Sequence, residues 1–507
     1  MSGDLQERRA RRLLAAVVVA GALLIGSRLG KQSLWMDEGF TVIPVVEAAG
    51  VPDLLARVAV EDTQPPASHL LLYALRPLLP AKEWGWRLPA LLAFEVGVLL
   101  LHATVRRLWD RKTALLAVVL TQFSPFLAFY AMEARNYGLW FLAMTLACWA
   151  LCGWCQAIAA GENRAILYAI VWGAANGLGL LTHLFHLFAM ITQMVIVIGL
   201  LRRTPLSRPL LRRGAATFLL AQTLAALPFL QWFLQSGLSV LRSGVGWRRE
   251  PVIESLLYYP FAMTFGFSLG PNLRELHTLG LGGLLRGHLL SLGAAAIALA
   301  GADFAVLALW RDARREPALR WQSLVLVTAP LCGLIGPALY VLRTSFPLLP
   351  RHLLFVWPAL AITLAVAVRR HPGLRPAIGG LFLLQLLAFG NLLWNDAYAK
   401  DDERGAVRFA DEHSGEKGYI IGDVAPLYAR RNCGLVRKFA ALSDPVILDP
   451  ALTDLWLASG RPWEDRDGSY RRKVERTASR LGLFEDKATD QFRGIVLRHW
   501  LKKGPPP

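Results

Sequence analysis

About eleven stretches of this sequence are apolar for long enough to cross a bilayer, which takes roughly 20 consecutive residues in helical form. They lie near 13–29, 87–105, 113–129, 137–155, 165–181, 185–201, 214–234, 287–310, 321–342, 352–368 and 376–395. The runs are continuous rather than alternating. They therefore predict helices and not a barrel, because each backbone polar group in lipid must be satisfied within its own segment. With 54% of its residues hydrophobic and only 18% charged, a chain of 507 residues is excluded from the soluble class.

The net charge of +18 does not gather on one face, as nucleic-acid binding would require. Basic residues cluster between alternate runs: Arg8, Arg9, Arg11 and Arg12; Arg106, Arg107, Arg111 and Lys112; Arg202, Arg203, Arg208, Arg212 and Arg213; Arg311, Arg314, Arg315 and Arg320; Arg369, Arg370 and Arg375. The positive-inside rule assigns all of these to the cytoplasm. The N-terminus is then cytoplasmic, the first run crosses outward, and an odd number of spans leaves everything after Asn395 outside. No small-x-small cleavage site follows the first run, so residues 1–29 read as an uncleaved helix rather than a signal peptide.

Two regions follow. Residues 1–400 form a membrane module whose first outer loop covers 30–86, and residues 401–507 read as a small α/β domain on the outer face. In the latter, "GYIIGDV", "PVILDP" and "FRGIVLRHW" are strand candidates, with a charged helical stretch near 468–481. Of the five cysteines, Cys148, Cys152 and Cys155 share helical spacing suited to a packed apolar face, Cys332 lies in a run, and Cys433 has no disulfide partner within the outer domain.

Polar motifs recur at the outer ends of the runs. "KQSLWMDEGFT" places Asp37 and Glu38 just past the first run, and the rest of that loop is apolar enough to form helices along the interface. Within it, "EDTQPPASH" stiffens the chain with paired prolines and brings Asp62 and His69 nearby. "SPFLAFYAMEARNYGLW" puts Glu133, Arg135 and Tyr137 in a short outer turn, where charges close to lipid are costly unless used or paired. The blandest reading there is a Glu133–Arg135 ion pair that fastens the turn. "THLFHLF" adds His183 and His186, and "PLLPRHLLFVWP" adds Arg351 and His352. Lone interfacial histidines are more often packing residues than ligands.

The order "LWMDEGF", "DTQPP", "MEARNYGL", "THLFHLF", "PRHLLFVWPAL" and a closing domain that opens "DDERGAVRFA" resembles the bacterial GT-C glycosyltransferases. The similarity is to lipopolysaccharide-core-type and aminoarabinose-type transferases and, more distantly, to protein O-mannosyltransferases. It implies a GT-C-like α-helical polytopic membrane protein in the bacterial inner membrane, with a periplasmic C-terminal domain. The implied activity is transfer of a hexose or pentose from a polyprenyl-phosphate donor to a glycolipid, glycan or protein acceptor, with inversion. By the same resemblance Asp37 and Glu38 map to the catalytic acid pair, and Arg135 and Arg351 to phosphate binders. Glu133, Tyr137, Asp62, His69 and His183 complete the expected substrate-binding set. Gln64 and Met132 depart from the family pattern, in which a histidine or lysine precedes the two prolines and a glutamine precedes the Glu-Ala-Arg.

The residue types suit that chemistry. Glycosyl transfer through an oxocarbenium-like state needs a base for the incoming hydroxyl and a stabiliser for the leaving group. With a phosphate leaving group, arginines replace the protonating acid of hydrolases. An Asp-Glu pair alone supplies too few ligands to require a divalent cation, so metal use stays open. A transporter or flippase for a lipid-linked or anionic substrate is the rival reading. Against it, Glu95 and Asp303 are the only acids buried in runs and no internal repeat is evident. A polymerase or ligase of lipid-linked glycans shares the location but not this order of motifs.

Overall fold

The computed structural model of the chain describes residues 2–62, 64–201, 207–237, 252–315, 349–430, 432–435, 449, 451–460 and 469–502. It opens with helix α1 (Ser2–Gly26), which contains most of the first apolar run. Among the described residues six helices are long and apolar enough to span a bilayer, at Glu83–Leu108, Tyr137–Ala159, Pro209–Gln235, Gly282–Asp312, Pro350–Arg370 and Pro372–Trp394. Each overlaps an expected run, and the protein is a multi-pass membrane protein. The expected span at 321–342 lies outside the described residues.

The loop at 30–86, expected on the outer side, is helical, as its apolar content suggested. It holds α2 (Met36–Glu47), α3 (Val51–Glu61) and α4 (Ala67–Leu75) before the long α5 (Glu83–Leu108). The run at 113–129 is broken into α6 (Arg111–Gln122) and α7 (Pro125–Ala131), bent by 63°. The cause is local: Ser124 caps α7 by accepting a hydrogen bond from the Leu127 N–H, and Pro125 has no N–H with which to continue α6. Helix α8 (Tyr137–Ala159) then starts so close to α5 that a Cβ on Gly138 would sit 2.1 Å from the Ala90 carbonyl oxygen. The runs at 165–181 and 185–201 are the shorter α9 (Arg164–Leu180) and α10 (His186–Leu201).

Helix α11 (Arg208–Trp232), α12 (Val252–Phe265), the short α13 (Leu273–Thr278) and α14 (Leu281–Arg315) follow. A 3-10 turn at Pro350–Val356 leads into α15 (Trp357–Arg370), and α16 (Arg375–Trp394) completes the module. Phe94, Phe126, Trp140, Phe141, Leu353 and Leu354 share one buried cluster, so α5, α7, α8 and the 3-10 turn converge at a single end of the bundle.

Beyond α16 the C-terminal domain begins with α17 (Glu403–His413), capped by Asp402, whose Oδ1 accepts from the Gly405 N–H at 3.0 Å. Strands β1 (Gly418–Gly422), β2 (Cys433–Gly434), β3 (Asp454–Gly460), β4 (Leu483–Phe492) and β5 (Ile495–Lys502) form one sheet of order β2-β1-β3-β5-β4. β1 runs parallel to β2 and β3, while β5 is antiparallel to β3 and β4. The short α18 (Ala425–Tyr428) follows β1, and α19 (Ser469–Arg480) matches the expected charged helix. "GYIIGDV" and "FRGIVLRHW" supply β1 and β5, and "PVILDP" lies almost wholly outside the described residues. The central β3 was not expected, because its first five residues are all buried and give no alternation.

Candidate functional site

Asp37 and Glu38 occupy the first turn of α2, where the helix N-terminus favours negative charge. Consecutive helical residues point about 100° apart, so the two acids take different partners. Arg351, on the 3-10 turn before α15, donates from Nη1 to Asp37 Oδ2 at 2.5 Å. Glu38 is fully buried and gripped on both oxygens by Arg87 of α5, each bond 2.7 Å long, with the Ala134 N–H adding another at 2.7 Å. Arg87 directs its remaining donors to the carbonyls of Leu29, Gln32 and Ser33, which locks the approach to α2.

Beside this pair, Asp62 at the end of α3 accepts from Arg135 Nη1 at 2.7 Å and lies 3.3 Å from His69 Nε2. Arg135 also donates to Thr41 Oγ1 at 2.8 Å, which joins the 133–136 turn to α2. The Glu133–Arg135 ion pair, the blandest reading of that turn, does not form. In that non-helical turn the two side chains diverge, and Glu133 is paired instead with Lys400 Nζ at 3.0 Å. Lys400 stands 3.5 Å from Glu38 as well, with Trp35 and Phe129 ring centroids each 5.1 Å from its ammonium.

An aromatic wall closes the cluster. Tyr137 packs on Tyr130 at 4.7 Å between ring centroids, and His183 stacks on Trp140 at 4.0 Å. His183 Nδ1 accepts from the Phe185 N–H at 3.1 Å. His186 accepts from Trp140 Nε1 and faces the Asn176 side chain, a packing role, while His352 stacks on Phe185. His69 Nδ1, Glu133 Oε2, Arg135 Nε, Asn136 Oδ1 and His183 Nε2 are buried without a hydrogen-bond partner among the described residues. Such atoms are uncommon in native folds, and here five of them fall in one neighbourhood.

Burial opposes ionisation of Glu38 and Asp62, yet their cations win. Arg87 and Lys400 hold Glu38 below the ordinary carboxylate range, and Arg135 and His69 hold Asp62 well below it. Glu133 goes the other way: burial raises it and Lys400 only partly offsets this, with Glu38 close by. Burial, Arg351 and Arg135 push His183 well down, so its imidazole is neutral.

All nine residues expected from the sequence thus fall in one region. Arg87 and Lys400, which complete it, were not anticipated, since both lie in unremarkable sequence at the edge of a span. Among the described residues no group of three His, Cys, Asp or Glu side chains is arranged for a metal ion. Each of the four buried acids already has its own cation: Asp37 with Arg351, Glu38 with Arg87, Asp62 with Arg135 and Glu133 with Lys400. A divalent ion is not needed to balance their charge. Within the spans, Glu95 is buried and accepts from Gln122 Nε2 at 2.9 Å, whereas Asp303 is exposed on α14.

Residues 63–232 match the family model described as dolichyl-phosphate-mannose-protein mannosyltransferase. A search of curated protein sequences finds no match. Among solved structures, apo ArnT from Cupriavidus metallidurans aligns with a TM-score of 0.58 at 13% identity, over 97% of this chain and 98% of that one. The same enzyme bound to undecaprenyl phosphate aligns at 0.51 and 14% identity, over 96% and 97%. The oligosaccharyltransferase of Archaeoglobus fulgidus aligns at 0.50 and 12%, over 96% of this chain and 73% of that one. The chain has the GT-C fold and resembles the ArnT-type and mannosyltransferase-type enzymes that share it.

Proposed function

We propose that this protein is an inverting membrane glycosyltransferase that moves a sugar from a polyprenyl-phosphate donor to a cell-envelope acceptor on the periplasmic side. The observation that carries the reading is the Asp37–Arg351 pair, a carboxylate and a phosphate-suited guanidinium 2.5 Å apart, at the rim of a cluster with unpartnered polar atoms. Similarity to a structure named for bound undecaprenyl phosphate supports the donor class.

In the resting site Arg351 neutralises Asp37. A donor phosphate competes for Arg351, because a guanidinium binds phosphate bidentately and keeps its charge. Asp37 is then released beside the anomeric carbon as a stronger base. The acceptor oxygen attacks that carbon while the bond to the phosphate oxygen breaks, Asp37 takes the hydroxyl proton, and polyprenyl phosphate leaves with its charge held by Arg351 and Arg135. A single displacement inverts the anomeric centre. Glu38, fully committed to Arg87, positions α2 rather than moving a proton.

The test is transfer from a synthetic polyprenyl-phosphate sugar by purified protein. Asp37→Asn should lower turnover by about 10²–10⁴-fold. Polyprenyl-phosphate binding should stay equal or tighten, since Arg351 loses its competing carboxylate. Near-normal turnover by the folded variant, or weakened donor binding, would overturn the assignment. Mass analysis of envelope glycolipids with and without the protein identifies the sugar and separates hexosyl from pentosyl transfer.

A further inference from the structure

Among the described residues of the membrane module the buried acids are the four of the site, each with its own cation, and Glu95, midway along α5. Glu95 has no cation partner among the described residues. Its Oε1 accepts from Gln122 Nε2 at 2.9 Å, and the other tips of the two side chains, Glu95 Oε2 and Gln122 Oε1, are buried with no hydrogen-bond partner among the described residues. If Glu95 is ionised, both of those atoms are acceptors and neither can serve the other. A carboxylate buried in a span without a cation is costly enough that the group keeps a proton instead. A proton on Oε2 makes it a donor, and Gln122 Oε1 is the acceptor on the same amide that already bonds Oε1. One proton thus serves both orphaned atoms and closes a ring of two hydrogen bonds between the acid and the amide.

Three segments that lead to the site meet at this pair. Glu95 lies on α5 about two turns from Arg87, which grips Glu38. Gln122 is the last residue of α6, just before the Ser124-Pro125 bend that sends α7 toward the 133–136 turn. Helix α1, whose chain continues to Asp37, packs on the pair at Gly21, where a Cβ would lie 2.2 Å from Gln122 Nε2 and 2.3 Å from its Cγ. Gln122 cannot swing aside without breaking its bond to Glu95, so a glycine is what lets α1 close on the pair.

We propose that Glu95 is a neutral carboxylic acid in a two-bond ring with Gln122, and that this ring is a positioning element for the transferase site. It sets α1, α5 and the start of α7 relative to one another, and through them Asp37, Arg87 and Arg135. Its effect is exerted through those residues and not by contact with substrate. The positioning role rests on the transferase reading above, whereas the proton on Glu95 stands on the hydrogen bonding alone.

Infrared spectra of the full chain in nanodiscs, taken in neutral deuterated buffer, test the ring directly. The wild-type minus Glu95→Gln difference should show the C=O stretch of a protonated carboxyl group, and a carboxylate band in its place would overturn the proposal. Glu95→Gln keeps both bonds as an amide–amide pair, with the new amide donating to Gln122 Oε1, so transfer from a polyprenyl-phosphate sugar should stay within about twofold of wild type. Glu95→Leu should lower turnover by about 10–10²-fold, as misplacement of catalytic groups does. Glu95→Leu with Gln122→Leu removes both partners, a change close to neutral for stability. That double variant should regain the wild-type melting temperature without regaining turnover. Recovery of both would make the ring structural only and overturn the positioning role, as would normal turnover in Glu95→Leu alone. Lost turnover in a folded Glu95→Gln variant would overturn the ring, since both bonds are kept there. Should the double variant not fold, the infrared band and the Glu95→Gln comparison decide. If wild-type protein transfers no sugar, the transferase reading fails, and the infrared band still reports the state of Glu95.

Discussion

Adjacent acids with unequal fates are the centre of this site. Asp37 has a small exposed fraction, 8%, and meets one arginine at the rim, while Glu38 has none and is held by three donors of buried groups. Removing one partner of a buried ion pair leaves an uncompensated charge, so Arg87→Gln should cost about 3–5 kcal/mol of stability. Arg87→Leu combined with Glu38→Met should cost less than the single change, a non-additivity measurable by denaturant unfolding in detergent. Asp62 gives a pH signature. Its folded pKa lies below the unfolded value of about 3.9, so its contribution is complete above that pH and is lost as pH falls toward the folded value. Melting temperatures from pH 7 to 3 should therefore fall less steeply for Asp62→Asn than for the wild type. Equal slopes would remove Asp62 as a source of acid sensitivity.

Helix ends, rather than helix middles, place the functional groups. The Ser124-Pro125 bend sends α7 across the bundle, so the 133–136 turn arrives under α2, where the Ala134 N–H meets Glu38 and Arg135 meets Thr41. That arrival depends on the closeness of α5 and α8 at Gly138. A larger side chain there would collide with the Ala90 carbonyl, which belongs to backbone and cannot rotate away. Gly138→Val should cost about 1–3 kcal/mol or more through overpacking. It should also depress turnover beyond its effect on folding, since Tyr137 and Arg135 would be displaced. A variant of normal melting temperature and normal turnover would contradict this account.

The C-terminal domain is built into the site. Ser33 Oγ donates to the Asp401 carbonyl at 2.7 Å, the Leu34 N–H donates to Tyr428 Oη at 2.7 Å, and Arg404 pairs with Glu83 at 2.8 Å. Lys400 then carries the linker's charge to Glu133. The whole-molecule expectation is that Asp37, Arg135, Arg351 and the domain after Asp401 share the outer side. Single cysteines in those segments of a cysteine-free variant should react with an impermeant reagent in outer-permeabilised cells. Labelling that needs a broken inner membrane would reverse the topology.

Much of this was already legible along the chain. Run length and continuity dictate a helical membrane protein, because lipid offers the backbone no alternative donors or acceptors. Polar motifs at run ends, the paired-proline stretch inside the first loop and the family resemblance together named nine candidate residues that the fold gathers in one region; charge near lipid persists only where it is used or paired. Pairing itself was not legible. Glu133 and Arg135, two residues apart, suggested each other, yet their partners stand 267 and 73 positions away at Lys400 and Asp62. Nor did the sequence mark β3, whose continuous burial hides its period. Local patterns set which groups reach the interface, but a buried charge takes the opposite charge nearest in space, and only the tertiary fold decides which one that is.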